Sequence, residues 1–532
     1  MENNFSVLRR TDPRIWILLV LISILVVIIF YFPNAQASEN LSMVQMFEPD
    51  EEAPYPYLIR MISPSEGLKE ALYKFVFYEY YYYGFPHFAL SAISLLPLKW
   101  TNQLTNTSLV FLTLRQVVSL VPILIGLLLL VYMQDGFRTY RSPILYIFLL
   151  SIPAVVRNNF WWHPDGLVVL ISSLILFLLW KDNLRFSWHF FSAAVFTGVL
   201  AATKIVGVYY FLAVGLSLIG GVVLQKISLR KSIGMGLSYI GLMAISFIAA
   251  NPFLLSKWGR IAYRYILNKE TELLSDGYAI FYEKGISAAW TIAKDYYGWG
   301  IFILIAVGVT IWGIFKGPQK YLFALILAWF LPLTISLIYI THFKFQYWLP
   351  VALPLISCIV ILLPDKLRIN KGNRLQSSIR FCLLLLIIAQ FVAFIVQDMK
   401  AYSTRYHREE NNERIAFYDT AVDKVGSITK GDLHVYRDYR LYVPATDGWS
   451  TETSFEMLDY NYIQSSDFDV LLLLEQRIKD YINPNVTGID AEQFARSFAF
   501  YTDANNGNLQ GYQLLYRDDV ALVFMKDALI TH

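Results

Sequence analysis

"RNNFWWHPDGLVVLISSLILFLL" (Arg157–Leu179) sets a polar, aromatic mouth directly before an unbroken apolar run. Proline fits the first turn of a helix and little beyond it, so Pro164 marks a helix start. Asp165 beside it complements the positive end of the helix dipole. No charge follows until Lys181. The stretch reads as a membrane-spanning helix whose ionisable residues gather at one mouth.

The same signal recurs along the chain. Apolar runs predict spanning helices near 14–33, 109–133, 142–159, 164–180, 187–203, 205–224, 232–250, 297–315, 321–340, 346–364 and 380–397. Of the 532 residues, 56% are hydrophobic and 16% charged, against about 25% charged in soluble domains. The fold class is therefore an α-helical polytopic membrane protein of about 11–13 spans. Segment 74–98 contains Gly84, Pro86, His87 and Pro97. It reads as an interfacial or re-entrant helix, the other reading being a full crossing balanced by a further helix elsewhere. Arg9, Arg10 and Arg14 precede Ile15–Phe32, and "AQAS" (Ala35–Ser38) resembles a signal-peptidase site. The apolar run is longer than a signal peptide's, so an uncleaved first helix is expected. Cys358 and Cys382 each lie within an apolar run and read as small core residues rather than a disulfide.

Basic residues orient the helices. With a cytoplasmic N-terminus, one set of loops holds Arg138, Arg141, Lys181, Arg185, Lys226, Arg230, Lys231, Lys316, Lys320, Lys366, Arg368, Lys371, Arg374 and Arg380. The opposite short loops hold little beyond Lys99, Arg157, Lys204 and Lys344. This is a positive-inside pattern, expected of a bacterial plasma membrane protein. It divides the chain into a membrane domain, 1–400, with long outer loops 34–108 and 251–296, and an extracytoplasmic soluble α/β domain, 401–532. Strand-like runs in that domain are "LHVYR" (Leu433–Arg437), "DVLLLLE" (Asp469–Glu475), "YQLLYR" (Tyr512–Arg517) and "VALVFMK" (Val520–Lys526).

This topology collects the unusual polar residues on the outer face. They are Asp50 and Glu51 in "FEPDEEAPYPY" (Phe47–Tyr57), Arg115, Arg157, His163, Asp165, Lys204, His342 and Lys344. Acids and bases converging on one face suit a site that handles an anion and a proton. Each has a plainer reading. The acids fit a solvated loop, His163 and Asp165 fit an ordinary helix start, Arg157 and Lys204 could snorkel, and His342 and Lys344 fit a short loop. "YEYYYYG" (Tyr78–Gly84) fits an interfacial belt or a sugar-stacking groove. No Walker motif or GxGxxG is present, so neither nucleotide nor nucleic acid is an expected partner. No cofactor is assigned. The histidines lack metal-ligand spacing, although Asp50 could join substrate phosphate around a divalent ion.

The order of these segments resembles the GT-C fold glycosyltransferases, in particular the protein O-mannosyltransferase and aminoarabinose transferase superfamily. An Asp-Glu pair follows the first helix. Then come "YYYYGFPHFALSAISLL" (Tyr80–Leu96), "LRQVVSLVPILIGLLLLVYM" (Leu114–Met133), the Arg157–Leu179 stretch, "GVLAATKIVGVYYFLAVGL" (Gly198–Leu216) and "HFKFQYWLPVALPL" (His342–Leu355). The resemblance spans roughly residues 10–400. It implies a polyprenyl-phosphate-linked sugar donor, an acceptor hydroxyl of unstated kind and an inverting transfer on the outer face. Asp50, or its neighbour Glu51, would be the base. Arg115, then Lys204 and Arg157, would hold the leaving phosphate, and His163, Asp165, His342, Lys344, Tyr347 and His87 would line the site. Two departures stand out: Gly84-Phe85-Pro86-His87 replaces a His-Pro-Pro, and Phe345-Gln346-Tyr347 replaces an Arg-Tyr. The alternatives are a transporter or flippase, which would place charges near mid-membrane, or an inactive subunit of cell-surface polysaccharide assembly.

Overall fold

The computed structural model describes residues 11–276, 283–317, 319–363, 374–485 and 491–530. The chain enters through α1 (Pro13–Ala35), capped by the Asp12 side chain on the Arg14 amide. An outer loop follows with five short helices: α2 (Leu41–Phe47), α3 (Pro49–Glu52), α4 (Tyr55–Ile62), α5 (Leu68–Val76) and α6 (Phe85–Trp100). Segment 74–98 is thus not one helix. It breaks at Phe77–Gly84, and its longer half, α6, has 16 residues.

α7 (Thr107–Thr113) and α8 (Val121–Asp135) form one apolar rod with a π-helical stretch, Leu114–Leu120, between them. Pro122 explains the widening. It has no N–H to offer one turn back, and its ring crowds that carbonyl. The expected helix 142–159 is broken by the same chemistry. α9 (Arg141–Leu150) stops, Ile152 is extended before Pro153, and α10 (Pro153–Asn158) begins. The rest of the bundle comprises α11 (Asp165–Asp182), α12 (Trp188–Thr203), a 3₁₀ turn (Ile205–Tyr210), α13 (Phe211–Val223), α14 (Leu229–Ala249), α15 (Lys257–Asp276), α16 (Ile286–Tyr297), α17 (Gly300–Lys316), α18 (Lys320–Tyr339), α19 (Phe345–Ser357) and α20 (Arg374–Tyr406).

Helix is found in each of the eleven expected stretches, but 142–159 is two short helices and 205–224 opens with the 3₁₀ turn. Among the described residues seven helices are long and apolar enough to cross a bilayer, or eight if the 89° bend between α16 and α17 lies within one span. The chain is an integral, multi-pass membrane protein. Leu21, Ile24 and Leu25 on α1 and Leu237, Ile240 and Ile245 on α14 are exposed, as acyl-chain-facing residues are. Inside, tight stacking such as Tyr210 on Trp329 (ring centroids 3.8 Å apart) fixes the helices against one another.

The helices run alternately between two ends. At one end Phe137 O accepts from the Asp12 amide, Gln319 donates to Gln134 O at 3.0 Å, and Arg141 donates to Leu363 O. This end carries the basic loops. Lys366, Arg368, Lys371 and the side chains of Arg374 and Arg380 lie outside the described residues. The opposite end gathers the starts of α11 and α19 and the ends of α1, α12 and α20.

Beyond α20 come α21 (Glu413–Gly426), β1 (Leu433–Arg437), β2 (Trp449–Glu452), α22 (Tyr460–Ser466), β3 (Val470–Leu474), α23 (Glu475–Tyr481), α24 (Ala491–Asn506), β4 (Tyr512–Arg517), β5 (Ala521–Lys526) and the turn α25 (Asp527–Ile530). The sheet order is β2-β1-β3-β5-β4. β1 is parallel to β2 and β3, and β5 is antiparallel to β3 and β4. Strand alternation splits the apolar residues between two faces. Leu471, Leu473 and Phe524 pack on Phe500 and Tyr501 of α24, while Val470, Leu472 and Val523 pack on Phe417 and Ala421 of α21. That is why the continuous run "VLLLL" is buried throughout.

Candidate active site

Two polar clusters occupy the end of the bundle opposite the basic loops. The first is built on the acidic stretch. Asn40 caps α2 by accepting the Met43 amide, and Pro49 restarts the chain as the single turn α3. One helical turn sends successive side chains in different directions, so the four acids have different fates. Asp50 is exposed to solvent. Glu51 is fully buried. Arg115 Nε lies 2.9 and 3.2 Å from its two oxygens, Arg115 Nη2 is 2.5 Å from Oε2, and the Trp162 amide donates to Oε1 at 2.5 Å. Arg115 spends its remaining nitrogen, Nη1, on the carbonyls of Asn34 (2.8 Å) and Gln36 (3.1 Å). Guanidinium and carboxylate therefore saturate each other.

Glu48 is ion-paired too. Arg405 Nη1 and Arg408 Nη1 both donate to its Oε1, the latter at 2.9 Å. Burial pushes this carboxyl up, but Arg405, Arg408 and Arg115 outweigh it and hold it below the usual range. Glu52 is half-buried, and burial raises its carboxyl against the opposing charge of Arg437.

The second cluster centres on Asp165, which is buried at the start of α11. Lys204 Nζ is 2.7 Å from its Oδ1, and His163 Nδ1 is 2.5 Å from its Oδ2. The Lys204 ammonium also sits 4.1 Å over the Tyr347 ring, with Lys344 Nζ 5.7 Å from the same ring and the His342 ring 6.3 Å away. His163 stacks flat on Trp161 at 4.5 Å and meets the edge of Tyr83 at 4.9 Å. His87 stacks on Trp162 at 5.4 Å, and burial pushes its imidazole down to about 3, so it is neutral.

Close backbone approach assembles this second cluster. α12 ends at Thr203, leaving Lys204 extended. The Gly84 amide donates to Thr203 O at 3.3 Å, and a Cβ on Gly84 would fall 1.8 Å from Ala202 O. Only glycine lets the tyrosine-rich loop lie there. A Cβ on Gly166 would likewise fall 2.4 Å from Ser119 O in the π-helical stretch.

The turn Trp161–Asp165 joins the clusters. The Trp162 amide holds Glu51, its indole donates to Ser91 Oγ at 2.9 Å, and three residues later Asp165 holds Lys204. Three residues of chain reach at most about 11 Å, so the clusters are close neighbours. Of the expected residues, the structure brings together His163, Asp165, Lys204, Lys344, Tyr347, His342 and His87. It places Arg115 in the first cluster, bonded to Glu51. Arg157 is exposed on α10, and its charge acts on Asp398 of α20. Trp161, Trp162, Arg405 and Arg408 join the clusters beyond the expected set, and Tyr83 joins from the tyrosine run. Arg405 and Arg408 carried a readable signal: they are cations just past the last span, on the face where cations are scarce. Among the described residues no group of three His, Cys, Asp or Glu side chains is placed to hold a metal ion.

No protein-family model matches the chain, and no curated relative is found. Solved structures do match. ArnT from Cupriavidus metallidurans, in a crystal structure bound to undecaprenyl phosphate, aligns over 96% of this chain and 98% of its own, with a TM-score of 0.54 and 11% identity. The chain has a GT-C fold. The apo crystal structure of that ArnT aligns over 95% of this chain and 97% of its own, with a TM-score of 0.49 and 10% identity. The likeness takes in the C-terminal sheet as well, because the alignment covers nearly the whole of both chains.

Proposed function

We propose that this protein is a membrane glycosyltransferase. It moves a sugar from a polyprenyl-phosphate-linked donor to an acceptor hydroxyl at the outer membrane face, with inversion. The observation that carries this reading is the pairing of clusters at one end of the bundle: the acidic turn that exposes Asp50, and the cationic set around Lys204, joined through the Trp161–Asp165 turn. The GT-C fold agrees with it, and so does the undecaprenyl phosphate held by ArnT in its own structure. The basic loops at the opposite end support a cytoplasmic N-terminus and an extracytoplasmic C-terminal unit.

In this mechanism Asp50 takes the proton of the acceptor hydroxyl as that oxygen attacks the anomeric carbon. The bond from the anomeric carbon to the phosphate oxygen breaks, and polyprenyl phosphate leaves with the electron pair. Lys204 and Lys344 stabilise the charge that develops on it. Asp165 and the Tyr347 ring hold the Lys204 ammonium in place, and His163 is within reach to share a proton with Asp165. Glu51 is not the base, because Arg115 and the Trp162 amide occupy its oxygens. Arg115 accordingly positions the acidic turn and does not touch the donor. The sugar is read by the Tyr80–Gly84 loop and Trp161.

The test uses the full-length protein in lipid nanodiscs with polyprenyl-phosphate sugars. Release of polyprenyl phosphate and the anomer of the product are followed. Asp50→Asn is expected to lower turnover by about 10²- to 10⁴-fold. Unchanged turnover in that variant would sink the mechanism. Proton-coupled uptake into liposomes without sugar transfer would assign the chain to transport.

A further inference from the structure

The acidic turn is held from two sides, and only one of them belongs to the membrane bundle's centre. Glu51, one residue after Asp50, is fixed by Arg115 and Trp162. Glu48, two residues before it, is fixed by Arg405 and Arg408 at the far end of α20, where the chain passes to the C-terminal sheet. Those arginines are locked in turn. Arg405 Nη2 donates to Phe160 O at 2.5 Å, Arg408 Nη2 to Gln36 O at 3.3 Å, and the Arg408 guanidinium lies 4.5 Å over the Phe47 ring. Both side chains are nearly buried.

The C-terminal unit adds its own grip on the same hairpin. The Ala37 amide donates to Glu409. The buried Val443 amide donates to Ser42 Oγ at 2.7 Å, and the Asn40 side chain donates to the Tyr442 hydroxyl at 3.2 Å. Arg437, at the end of β1, acts on Glu52. Five residues, Ala37, Asn40, Ser42, Phe47 and Glu48, therefore contact the C-terminal part of the chain, and Asp50 lies between the last of them and Glu52, on which the Arg437 charge acts.

We infer that Arg405 and Arg408, together with the 437–443 loop, are positioning residues for Asp50, so that the C-terminal unit sets the catalytic geometry of the membrane domain. This rests on the reading of Asp50 as base. The physical basis is geometric. A general base acts only within hydrogen-bond reach of the acceptor hydroxyl, and a misplacement of about 1 Å costs about 10²-fold in rate. One turn of helix has too few internal bonds to hold Asp50 there by itself. Two flanking ion pairs, the buried Glu51–Arg115 pair and the part-buried pairing of Glu48 with Arg405 and Arg408, supply the missing constraint.

The full-length protein in nanodiscs tests this with Arg405→Gln, Arg405→Lys, Arg408→Gln, Glu48→Gln and the double variant of Glu48→Gln with Arg405→Gln. The expected result is a fall in kcat of about 10- to 100-fold for Arg405→Gln with donor KM unchanged. Arg405→Lys should recover much of that loss, and the double variant should be no slower than its slower parent. Hydrogen exchange should quicken in 41–52 and stay slow in α11. Wild-type kcat in both Arg405→Gln and Arg408→Gln, with Asp50→Asn inactive, would overturn the inference and leave the glycosyltransferase reading standing. Exchange quickening throughout, α11 included, would overturn it as well, since the arginines would then serve the fold as a whole. An active Asp50→Asn would overturn the reading of the base and this inference with it.

Discussion

Asp50 and Glu51 are neighbours in sequence with opposite fates, and single substitutions should separate them. Glu51→Gln removes one partner of a buried pair and leaves the Arg115 charge facing only carbonyl oxygens. Breaking such a pair costs about 3–5 kcal/mol, so a large drop in Tm is expected. Asp50→Asn changes an exposed side chain and should leave Tm unchanged while turnover collapses. Thermal unfolding of both variants checks the contrast, and equal Tm values would contradict the buried pair. Lys204→Met probes the second cluster. Losing one charge-assisted bond of about 1.5–3 kcal/mol should weaken polyprenyl phosphate binding about 10- to 100-fold, measurable by equilibrium titration. The identity of these residues was legible in the sequence, since charge is rare there and stands out. Their roles were not. Whether Glu51 is buried depends on Arg115, 64 residues away, and on a tryptophan amide that no side-chain pattern announces.

Proline and glycine set the elements around the site. Pro122 and Pro153 are visible in the sequence, yet the π-helical stretch and the broken 142–159 helix follow only once the neighbouring helices fix where the strain goes. The apolar runs fixed the existence of the helices, because lipid leaves the backbone no other partner. Gly84 makes the argument testable. In Gly84→Ala the new methyl would meet the backbone of Ala202 and Thr203, which cannot swing aside as a side-chain tip would. Overpacking of this kind costs about 1–3 kcal/mol, and α6 must retreat from the end of α12. Lower Tm together with raised donor KM is expected; an unchanged KM would mean that the contact does not place Lys204. The α2–α3 hairpin has a pH signature of its own. Arg405, Arg408 and Arg115 overcome burial and hold the Glu48 carboxyl below its ordinary value. A carboxyl whose folded pKa is depressed contributes stability that is fully present above the unfolded value, about 4.3 for glutamate, and is lost as pH falls through the folded value. Hydrogen exchange in 41–52 should therefore quicken on acidification below about pH 4.3, and less steeply in Glu48→Gln. Identical pH profiles would show that the pair does not hold the hairpin.

At the scale of the molecule, two features of the sequence foretell where the polar clusters sit: basic loops on one set of connections and ionisable residues on the other. Both are counts along the chain and need no tertiary knowledge. The sheet was nearly as readable, because β1, β3, β4 and β5 carry apolar residues to two covered faces. β2 was not, since "WSTE" is an exposed edge with no alternation to betray it. The docking of this unit on residues 37–52 could not be read at all, because it joins residues some 400 positions apart through single hydrogen bonds. The proposed orientation gives the last prediction. In a Cys382→Ser background the remaining cysteine, Cys358, is buried and should not react with a maleimide. Ser427→Cys, on the exposed end of α21, should be labelled by a membrane-impermeant maleimide on intact cells. Lys226→Cys, in an exposed loop, and Lys316→Cys, at the exposed end of α17, both at the basic end, should be labelled only after permeabilisation. The reverse pattern would place Asp50 and Lys204 on the cytoplasmic side. The transfer would then have to draw its donor from the inner leaflet, and the outer-face mechanism would fail even with every contact in the site intact.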